Sequence, residues 1–329
     1  MKKPIVSIMI STYNQEEYII RAIQSVLDQK YENIEILVSD DCSTDNTERI
    51  VNDFIALKSD SRIRYLKNDR NVGILRNYHN SLHRVSGDYV VNLDGDDFFV
   101  DNNFLSNAVN MFRDDERLSL VFGDYCEYMQ PLGVKVNILN KSLPGIMSDK
   151  EFYAKFADHK ILWNHNTIVY KRALAIDIGF YWDAEIPRND WESFLRLIAG
   201  HRVGYLPFVV SAWTQHGGNE TKRPDMMKYL NNYVLLKGVE HYVTPILGED
   251  FANKWYKKMI WVKTKSSSVG FIKNKDIVGW LRFIFKIAEI SPLLSIRAIF
   301  NPSLLARLIL SINPGLYSGV KVRIRQFLK

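Results

Sequence analysis

The sequence predicts an α/β fold: a mainly parallel sheet flanked by helices, followed by a helical C-terminal extension. Apolar, β-rich runs alternate with segments of helical periodicity through residue 124, and this alternation is typical of βαβ units. The runs are apolar on both faces, as expected of strands that helices cover on both sides. The extension is predicted because the periodicity from about residue 224 onward is helical.

The first half of the chain contains five predicted strands with helices between them. The first helix is indicated by apolar residues that recur at helical spacing from Tyr18 to Leu27. The second is expected to run to about Lys58, with Ser43 or Thr44 as its N-cap. Strands are predicted at 5–10, 34–40, 62–67, 88–94 and 118–124, and a further helix at 74–85.

The pattern is less regular beyond residue 125. Ser148 and Glu151 have the spacing of a capping box, which predicts the start of a short helix. A helix is predicted at 191–199 and a strand at 202–213. We therefore divide the chain into a first domain, 1–222, with halves at 1–124 and 125–222, and a helical region, 223–329.

The composition indicates a globular protein. The chain has 329 residues, 47% apolar and 24% charged, which excludes disordered, collagen-like and coiled-coil classes. Its two cysteines, Cys42 and Cys126, form neither a disulfide framework nor a zinc site, so we expect a reducing compartment. No run of about 18 apolar residues occurs, and the N-terminus lacks the long apolar core of a signal peptide.

Acidic clusters follow two of the predicted strands. Asp40 and Asp41 follow one strand, and Asp94, Asp96 and Asp97 follow another. Ligands of open α/β sheets bind beyond the carboxyl ends of the strands. Carboxylate oxygens suit Mg²⁺ or Mn²⁺. Ordinary turn chemistry explains either cluster alone, but two clusters at strand ends favour a divalent-metal site.

Several nucleotide-binding and hydrolytic classes lack their motifs in this sequence. There is no G-x-x-x-x-G-K-[ST] loop, no G-x-G-x-x-G after the first strand and no G-x-S-x-G elbow. A phosphate is therefore expected to be held through a metal rather than by a glycine-rich cradle.

Four ordered segments resemble the family 2 glycosyltransferases. They are VSIMISTYNQEEYIIRAIQSVLDQ, EILVSDDCSTDNT, NVGILRN and GDYVVNLDGDD. The resemblance is dense from residue 4 to about 100 and sparse to about 220. It implies a GT-A fold with a Rossmann-like sheet, a catalytic domain at 1–222, and inverting transfer from a nucleotide-sugar. Within that domain, 1–124 would bind the nucleotide and 125–222 the acceptor.

The resemblance also assigns a donor site. Ser11 and Tyr13 would lie against the nucleotide. Asp41 would accept the uracil N–H, with Asp40 as a neighbour able to exchange roles with it. Arg76 would lie near the base or the pyrophosphate.

The metal site is carried over from the same family. Asp94 would contact the ribose or the donor sugar, and Asp96 would bind the Mn²⁺ or Mg²⁺ ion. Asp97 is a further candidate ligand. His216 lies in a glycine-containing loop that the family often places near the metal or the diphosphate, and a surface histidine is the alternative. The other six histidines are interpreted as structural.

The catalytic base of the family ends an acidic pair at a helix start. The matching segment here is 188–192, where Asn189 replaces the usual glutamate and Asp190 is the candidate base. Glu192 is the second choice. Trp191 could offer an apolar face to the acceptor sugar, or could anchor the helix in the core. Inverting transfer needs one such carboxylate and a metal for the leaving diphosphate.

The C-terminal region is strongly basic. From Lys257 to Lys329, fourteen lysine and arginine residues stand against two acids, Asp276 and Glu289. The segments 277–290 and 303–312 are apolar helices with narrow polar stripes, and VKVRIRQFLK alternates bases with apolar residues. This pattern favours helices that lie on an anionic membrane surface. Packing on the rest of the protein, or a dimer seam, is the alternative; no nucleic-acid motif is present.

We therefore predict an enzyme that moves a sugar from a nucleotide diphosphate, with UDP as the expected carrier, to a hydroxyl of a growing, lipid-linked glycan. It would act in the cytoplasm, on the inner face of the cell membrane. One alternative is a nucleotidyltransferase that makes a nucleotide-sugar, although STYNQEEY is not a basic phosphate loop. The other is a non-catalytic nucleotide-sugar-binding or membrane-scaffold protein.

Overall fold

The chain divides into two compact units. The structure, a computed structural model, describes residues 3–130, 132–181, 189–217 and 226–312. The first unit comprises Met1–Asn219 with Tyr242–Glu249, and the second comprises Glu220–His241 with Asp250–Lys329. The predicted domain boundary between residues 222 and 223 lies outside the described residues and stays a prediction. Arg188 and the basic segment 320–329 lie outside them as well.

One sheet forms the centre of the first unit. The described residues form ten strands: β1 (Val6–Thr12), β2 (Ile34–Asp40), β3 (Ile63–Lys67), β4 (Tyr89–Asp94), β5 (Phe98–Phe99), β6 (Leu118–Met129), β7 (Val134–Ile138), β8 (Ile146–Ser148), β9 (Ile168–Lys171) and β10 (Arg202–Gln215). Their order is β3-β2-β1-β4-β9-β6-β10-β5, with β7 beside β6 and β8 beside β10.

Four neighbouring strands, β3, β2, β1 and β4, run parallel. Their register pairs Ser11 with both Ser39 and Asp94, and Thr12 with Asp40. The carboxyl ends of β1, β2 and β4 therefore meet at one edge of the sheet, where open α/β sheets bind their ligands. The predicted α/β class, with a parallel sheet through these strands, is confirmed.

The second half of the sheet is mixed. β9 lies antiparallel between β4 and β6, whereas β6 and β10 run parallel. The short strand β5, which follows the acidic turn 94–97, pairs antiparallel with β10 through Phe98 and Ala212. This pairing brings the end of β10 to the acidic turn.

Helices cover the sheet and form the C-terminal region. They are α1 (Ile19–Leu27), α2 (Thr47–Lys58), α3 (Ile74–Arg84), α4 (Phe104–Asp114), α5 (Asp149–Ala157), a 3₁₀ helix (His165–Thr167), α6 (Arg172–Asp177), α7 (Asp190–Ile198), α8 (Met226–Leu247), α9 (Glu249–Lys273), α10 (Ile277–Ile290), α11 (Pro292–Ile299) and α12 (Pro302–Ile312).

The core of the first unit explains the sequence periodicity. Every residue of β1 is buried, as expected of a strand covered on both faces. On α1, Ile19, Ala22, Ile23 and Val26 are fully buried in the same core cluster. Full burial of one such branched side chain contributes about 1.5–3 kcal/mol. The predicted apolar face of α1 is thus the face that holds this helix on the sheet.

The two predicted helix caps have different outcomes. Ser148 is the N-cap of α5, and its hydroxyl accepts from the Glu151 N–H at 3.2 Å, as predicted. The predicted cap of α2 is wrong, because that helix begins at Thr47 after the N-cap Asn46. Ser43 instead accepts from the Asn14 N–H at 2.9 Å and so ties the β2–α2 loop to the β1–α1 loop.

The second unit has a core of its own. Ten buried side chains form it: Tyr233, Phe271, Ile272, Trp280, Phe283, Ile284, Ile287, Leu294, Ala298 and Leu304. No single helix among the described residues is long and apolar enough to cross a membrane. By length and composition alone, the pair Pro292–Ile299 and Pro302–Ile309 could do so together, with a bend of 52° between them.

Candidate active site

The candidate site lies at the carboxyl ends of β1, β2 and β4. The Gly95 N–H donates to the Ser11 carbonyl at 2.8 Å, and the Asp41 N–H donates to the Thr12 carbonyl at 2.8 Å. A Cβ atom on Gly95 would lie 2.9 Å from the Thr12 hydroxyl oxygen, so only glycine allows this close approach. Both acidic segments are therefore fixed to the end of β1.

Ser11 belongs to a buried amide network. The Asn77 side-chain NH₂ donates to the Ser11 hydroxyl at 2.9 Å and to the Ser39 carbonyl at 2.8 Å. The Ser39 hydroxyl donates back to Asn77 Oδ1 at 2.7 Å. This network ties α3 to β1 and β2. Tyr13, two residues beyond Ser11, is 47% exposed at the same edge.

Asp40 is fully buried and organises the loop after β2. Its Oδ1 accepts from the Ser43 N–H at 2.7 Å, and its Oδ2 accepts from the Tyr65 hydroxyl at 2.5 Å. Burial, followed by the hydrogen bond to Asp40, raises the pKa of Tyr65, so the phenol stays protonated as a donor. Both Asp40 oxygens are used in this way, and its predicted exchange of roles with Asp41 stays a prediction.

Asp41 joins two of the sequence motifs. Its Oδ1 accepts from the Val72 N–H at 2.8 Å and from the Asn68 side chain at 3.0 Å, while its Oδ2 accepts from the Gly73 N–H at 2.8 Å. Arg76 is half-buried in the first turn of the helix that follows, α3. The segment NVGILRN is therefore held against Asp41, in the neighbourhood that the predicted nucleotide site requires.

Three carboxylates and a histidine lie together at the turn after β4. Asp94 Oδ1 accepts from the Tyr78 hydroxyl at 2.8 Å. Asp96 Oδ2 lies 2.7 Å from His216 Nε2. Asp97 is 1% exposed; its Oδ1 accepts from the Thr214 N–H at 2.8 Å. The end of β10 thus supplies partners for the acidic turn.

Arg21, which the sequence reasoning missed, braces this turn from α1. Its guanidinium donates to the Asp96 carbonyl at 2.8 Å and to the Thr214 hydroxyl at 3.0 Å. The same group lies 4.3 Å from the centre of the Phe98 ring and 5.0 Å from that of Tyr128. Only tertiary contacts reveal this role.

A divalent cation fits one part of this cluster. Among the described residues, Asp94, Asp97 and His165 have ligand atoms that all lie within 4.8 Å of one another. His165 Nε2 lies 3.1 Å from Asp94 Oδ2, yet this buried nitrogen makes no aligned hydrogen bond. A buried nitrogen without a hydrogen bond beside two carboxylates is the arrangement that a metal ion completes.

The electrostatics of the cluster also favour a bound cation. Burial, and then the charges of Asp96 and Asp94, raise the pKa of the Asp97 carboxyl well above its usual range. Burial and the charge of Asp94 raise the pKa of Asp96 too, against the hydrogen bond to His216. A divalent ion would reverse this effect, because its charge stabilises ionised carboxylates. Asp96, the predicted metal ligand, is not in the group of three.

His165 also reaches the candidate base. Its Nδ1 lies 3.6 Å from Asp190 Oδ2. Burial lowers the pKa of His165, but the charges of Asp94 and Asp190 outweigh it and raise the pKa well above its usual range. The sequence interpretation counted His165 among the structural histidines, since no spacing marks it as a ligand. The structure places it between the acidic turn and α7.

Asp190 is the first residue of α7, as the prediction of a base at a helix start requires. The helix is capped by Asn189, whose side chain accepts from the Glu192 N–H at 2.9 Å. Burial raises the pKa of Asp190, but the hydrogen bond and charge of His165 and the N–H groups of the helix start outweigh burial and lower it. Asp190 is therefore ionised and able to accept a proton.

Glu192, the second choice, lies in a different environment. It is fully buried, and the Arg196 Nε–H donates to its Oε1 at 2.6 Å. Arg196 also donates to the carbonyls of Ile178 and Gly179. This buried ion pair does not fit a base that must meet an acceptor. Trp191, between the two acids, is half-buried.

His216 stacks on Tyr18. The two ring centres are 5.0 Å apart, and the ring planes differ by 17°. With its Nε2 atom 2.7 Å from Asp96 Oδ2, His216 contacts the acidic turn directly after the end of β10. The following residues, 218–225, lie outside the described residues, so the predicted loop closure over a ligand is untested.

Comparison with known proteins identifies the family. Residues 7–175, about half of the chain, match the family described as glycosyl transferase family 2. The chain belongs to glycosyl transferase family 2. The matched residues include β1, the acidic segments after β2 and β4, and His165.

Curated relatives match shorter stretches. An uncharacterized glycosyltransferase of Haemophilus influenzae is 35% identical over 125 residues, which are 38% of this chain and 48% of the relative. WcaA of Escherichia coli, named provisionally as a colanic acid biosynthesis glycosyl transferase, is 35% identical over 99 residues, 30% of this chain and 35% of the relative. The matches to these two relatives thus span half or less of each.

Solved structures confirm the GT-A fold. The crystal structure of S. aureus TarS 1-349 in complex with UDP-GlcNAc has a TM-score of 0.67 and 18% identity, covering 93% of this chain and 88% of that one. The mannosyltransferase PcManGT of Pyrobaculum calidifontis, in complex with GDP-Man and Mn²⁺, has a TM-score of 0.56 and 16% identity, covering 96% and 88%. At these identities the likeness concerns the fold alone.

Proposed function

We propose that the protein is an inverting, metal-dependent glycosyltransferase. It transfers a sugar from a nucleotide diphosphate, UDP in our assignment, to a hydroxyl of a growing glycan. One observation carries the proposal: a cluster of carboxylates at the end of β4 faces, across His165, an ionised Asp190 at a helix start. The cluster is suited to a cation and a diphosphate, and Asp190 is suited to a proton acceptor.

Mn²⁺ or Mg²⁺ would be held by the acidic turn. Asp94, Asp97 and His165 form the group whose ligand atoms lie close together, and Asp96 with His216 flanks it. A divalent cation at this site supplies charge that stabilises the leaving diphosphate. The residues of the turn are fixed beforehand by Tyr78, Arg21 and the Thr214 N–H, so little reorganisation is needed when ligands bind.

Asp190 would act as the general base. Inverting transfer is a single displacement in which the acceptor oxygen attacks the anomeric carbon and the diphosphate departs. Asp190 accepts the acceptor's hydroxyl proton as the new glycosidic bond forms. Its place at the start of α7 favours the ionised carboxylate. Trp191 next to it is the side chain that we assign to the acceptor sugar.

The donor assignment is supported by the place of Asp41 and by the neighbours in the fold. Asp41 is held at the edge of the sheet by the N–H groups of Val72 and Gly73. We assign it, with Ser11, Tyr13 and Arg76, to the nucleotide. TarS is described with UDP-GlcNAc and PcManGT with GDP-Man. Either nucleotide diphosphate therefore suits the fold, and the assignment to UDP depends on Asp41.

Surface glycan synthesis at a membrane is the setting that we propose. WcaA, which resembles this chain, is named provisionally for colanic acid biosynthesis. The acceptor would be a lipid-linked glycan on the inner face of the cell membrane. The C-terminal helices supply the physical argument for this location.

The helices α10 and α11 have an exposed apolar side. Val278, Leu281 and Phe285 are 61%, 56% and 68% exposed at a helical spacing of three and four. Leu293, Ile296 and Phe300 repeat that spacing at 79%, 51% and 71%. Exposed apolar helix faces with neighbouring cations bind the interface of a bilayer. A second copy of this basic region would repel the first, whereas anionic lipid attracts it.

A ligand panel tests the proposed reaction. Ligands that bind the native state raise its melting temperature by mass action. We expect UDP to raise the Tm with Mn²⁺ present and to lose most of this effect in EDTA, while ADP has little effect. A release assay with UDP-sugars and Mn²⁺ then identifies the donor. If neither UDP nor GDP shifts the Tm with either metal, the proposed donor site is wrong.

A further inference from the structure

His165 contacts both halves of the proposed chemistry. One ring nitrogen, Nε2, lies 3.1 Å from Asp94 Oδ2 in the acidic turn. The other, Nδ1, lies 3.6 Å from Asp190 Oδ2 on α7. The residue sits in the 3₁₀ helix His165–Thr167, directly before β9, the strand that pairs with both β4 and β6.

The ring is held in place by its surroundings. The Tyr78 ring meets the imidazole edge-on, with ring centres 6.0 Å apart, and the hydroxyl of the same tyrosine donates to Asp94. Asn166, the next residue, donates to Asp97 Oδ2 at 2.9 Å and accepts from the Ser211 hydroxyl. Two successive residues of the 3₁₀ helix therefore face the acidic turn, and the position of the imidazole is fixed by packing on both sides.

The two nitrogens have different geometry. Nε2 is buried and makes no aligned hydrogen bond. Ligand atoms of Asp94, Asp97 and His165 nevertheless lie within 4.8 Å of one another. Nδ1 faces a single carboxylate at slightly more than hydrogen-bond length, and such contacts are often long in ligand-free sites. A histidine that binds a metal through one nitrogen usually donates its other N–H to a carboxylate.

We propose that His165 links the cation site to the catalytic base: Nε2 serves as a cation ligand beside Asp94 and Asp97, and the Nδ1–H orients the Asp190 carboxylate. The proposal rests on the proposed function, since it assumes that Asp190 is the base. His165 is a positioning residue toward Asp190, because it acts on the acceptor only through that carboxylate. One side chain then couples cation occupancy to the orientation of the base.

Two substitutions separate the two nitrogens. In His165→Gln, the amide reaches the place of Nε2 and can still offer an oxygen to a cation, but nothing replaces Nδ1. In His165→Asn, the shorter amide lies near the place of Nδ1 and can still donate to Asp190, but nothing reaches the cation site. His159→Gln, at an exposed position after α5, makes the same chemical change elsewhere and is the control.

The first readout is the affinity for Mn²⁺, measured by calorimetry on the UDP-loaded protein without turnover. We expect His165→Asn to weaken Mn²⁺ binding about 10- to 100-fold, and His165→Gln to weaken it much less. The second readout is kcat at saturating Mn²⁺ and donor. There we expect the opposite order, with His165→Gln losing more kcat than His165→Asn.

A mutant cycle tests the connection to Asp190. If His165 acts through this carboxylate, His165→Gln lowers kcat in the parent but causes little further loss in Asp190→Asn. The proposal is overturned if the two variants lose Mn²⁺ affinity and kcat together, if neither changes, or if the losses multiply in the cycle. Should His165→Gln fail to fold, His165→Asn decides alone: lost Mn²⁺ affinity with a smaller loss of kcat than in Asp190→Asn supports the link, and any other result rejects it.

A different result would reject the proposed function. If Asp190→Asn alone keeps full turnover, Asp190 is not the base and the general function needs revision at that residue. The Mn²⁺ measurements still report on Nε2 in that case, because they do not involve turnover. The two proposals can therefore be rejected separately.

Discussion

Asp96 is the residue at which the predicted metal role can be tested most simply. Its side chain contacts His216 at 2.7 Å, and its carbonyl, which every substitution retains, accepts from Arg21 and Thr214. We expect Asp96→Ala to keep the fold and to weaken Mn²⁺-dependent UDP binding strongly in calorimetry. Asp53→Ala, at an exposed position on α2, is the control and should bind as the parent does. Unchanged Mn²⁺ dependence in Asp96→Ala would remove Asp96 from the metal site.

Asp190→Asn tests the proposed base. The change keeps the size of the side chain and removes its ability to accept a proton. General-base catalysis contributes about 10²–10⁴-fold, so we expect kcat to fall by that factor while UDP affinity stays near the parent value. Turnover within about threefold of the parent would rule the residue out as the base.

Glu192→Gln is the contrasting change two residues away. Glu192 and Arg196 form a buried pair, 0% and 3% exposed, and removing one charge of such a pair costs about 3–5 kcal/mol. We therefore expect a lower Tm, with kcat per folded molecule little changed. Together with Asp190→Asn, this result would distinguish a carboxylate that acts in catalysis from one that stabilises the fold.

The sequence could indicate some site residues and not others. Asp94, Asp96 and Asp97 are adjacent in the chain and follow an apolar strand, so their meeting at a sheet edge could be inferred. His165, Tyr78 and Arg21 could not, since each lies 16 or more residues from its partner in the turn and has no marked spacing. Such contacts depend on the pairing of strands that the local sequence does not specify.

At the scale of elements, Glu35 ties β2 to the segment that leads into β4. Its Oε1 accepts from the Ser7 hydroxyl at 2.6 Å and from the N–H groups of Ser86 and Gly87. Burial raises the pKa of Glu35, but these hydrogen bonds outweigh burial and leave the pKa lower than usual. The ionised form is therefore the one that stabilises the fold.

The sign of the resulting pH dependence follows directly. A carboxyl whose pKa is lowered in the folded state stabilises the protein above its unfolded pKa, and this contribution is lost as pH falls through the folded pKa. We expect Glu35→Gln to lower the free energy of unfolding at pH 7, with the difference from the parent shrinking below about pH 4.3. Urea unfolding of the parent and the variant at pH 7 and below about pH 4.3 measures this difference. A difference that is constant with pH would contradict the role of the charge.

The apolar sides of α10 and α11 give a second prediction at this scale. Phe285→Glu and Leu293→Glu each place a carboxylate on a side chain that is 68% or 79% exposed, so the fold should persist. We expect weaker cosedimentation with anionic liposomes, because apolar contact is lost and like charge is added. Leu57→Glu, on α2 at 81% exposure, is the matched control. Equal binding by all three variants would show that these helices do not contact lipid.

The sequence predicts that a segment is helical more reliably than it predicts which face of that helix is packed and which is exposed. The pattern in 277–290 predicts an apolar helix, which α10 confirms. One side of this helix is packed and another is exposed. Trp280, Phe283 and Ile287 belong to the core of the second unit, whereas Leu281 and Phe285 are exposed. A narrow polar stripe does not reveal which of the remaining positions a neighbouring helix covers.

At the scale of the whole molecule, the C-terminal helices are part of a folded unit. A chain ending at residue 273 would lose α10–α12 and leave Phe271 and Tyr233 of their shared core uncovered. Each large apolar side chain that loses its burial costs about 1.5–3 kcal/mol, so we expect this chain to aggregate or to melt at a lower temperature. A chain ending at residue 312 keeps the cluster and should remain monodisperse in size-exclusion chromatography. A stable, monomeric shorter chain would show that α10–α12 are dispensable.

The fold class could be predicted from the sequence because β1 to β4 and their helices follow one another along the chain. The order of the remaining strands could not. β9 inserts between β4 and β6, and β5 pairs with β10 across more than 100 residues. Long-range pairings of this kind leave no local pattern, so the arrangement of residues 125–222 was predicted only in outline.

The late pairing of β10 also has a consequence for synthesis on the ribosome. The partners of Asp96 and Asp97, His216 and Thr214, follow them by about 120 residues. At a translation rate of about 5–20 residues per second, the nascent chain carries its clustered carboxylates for roughly 6 to 24 s before these partners emerge. Until then the acidic turn lacks two of its contacts, so this site can be completed only after β10 has been made.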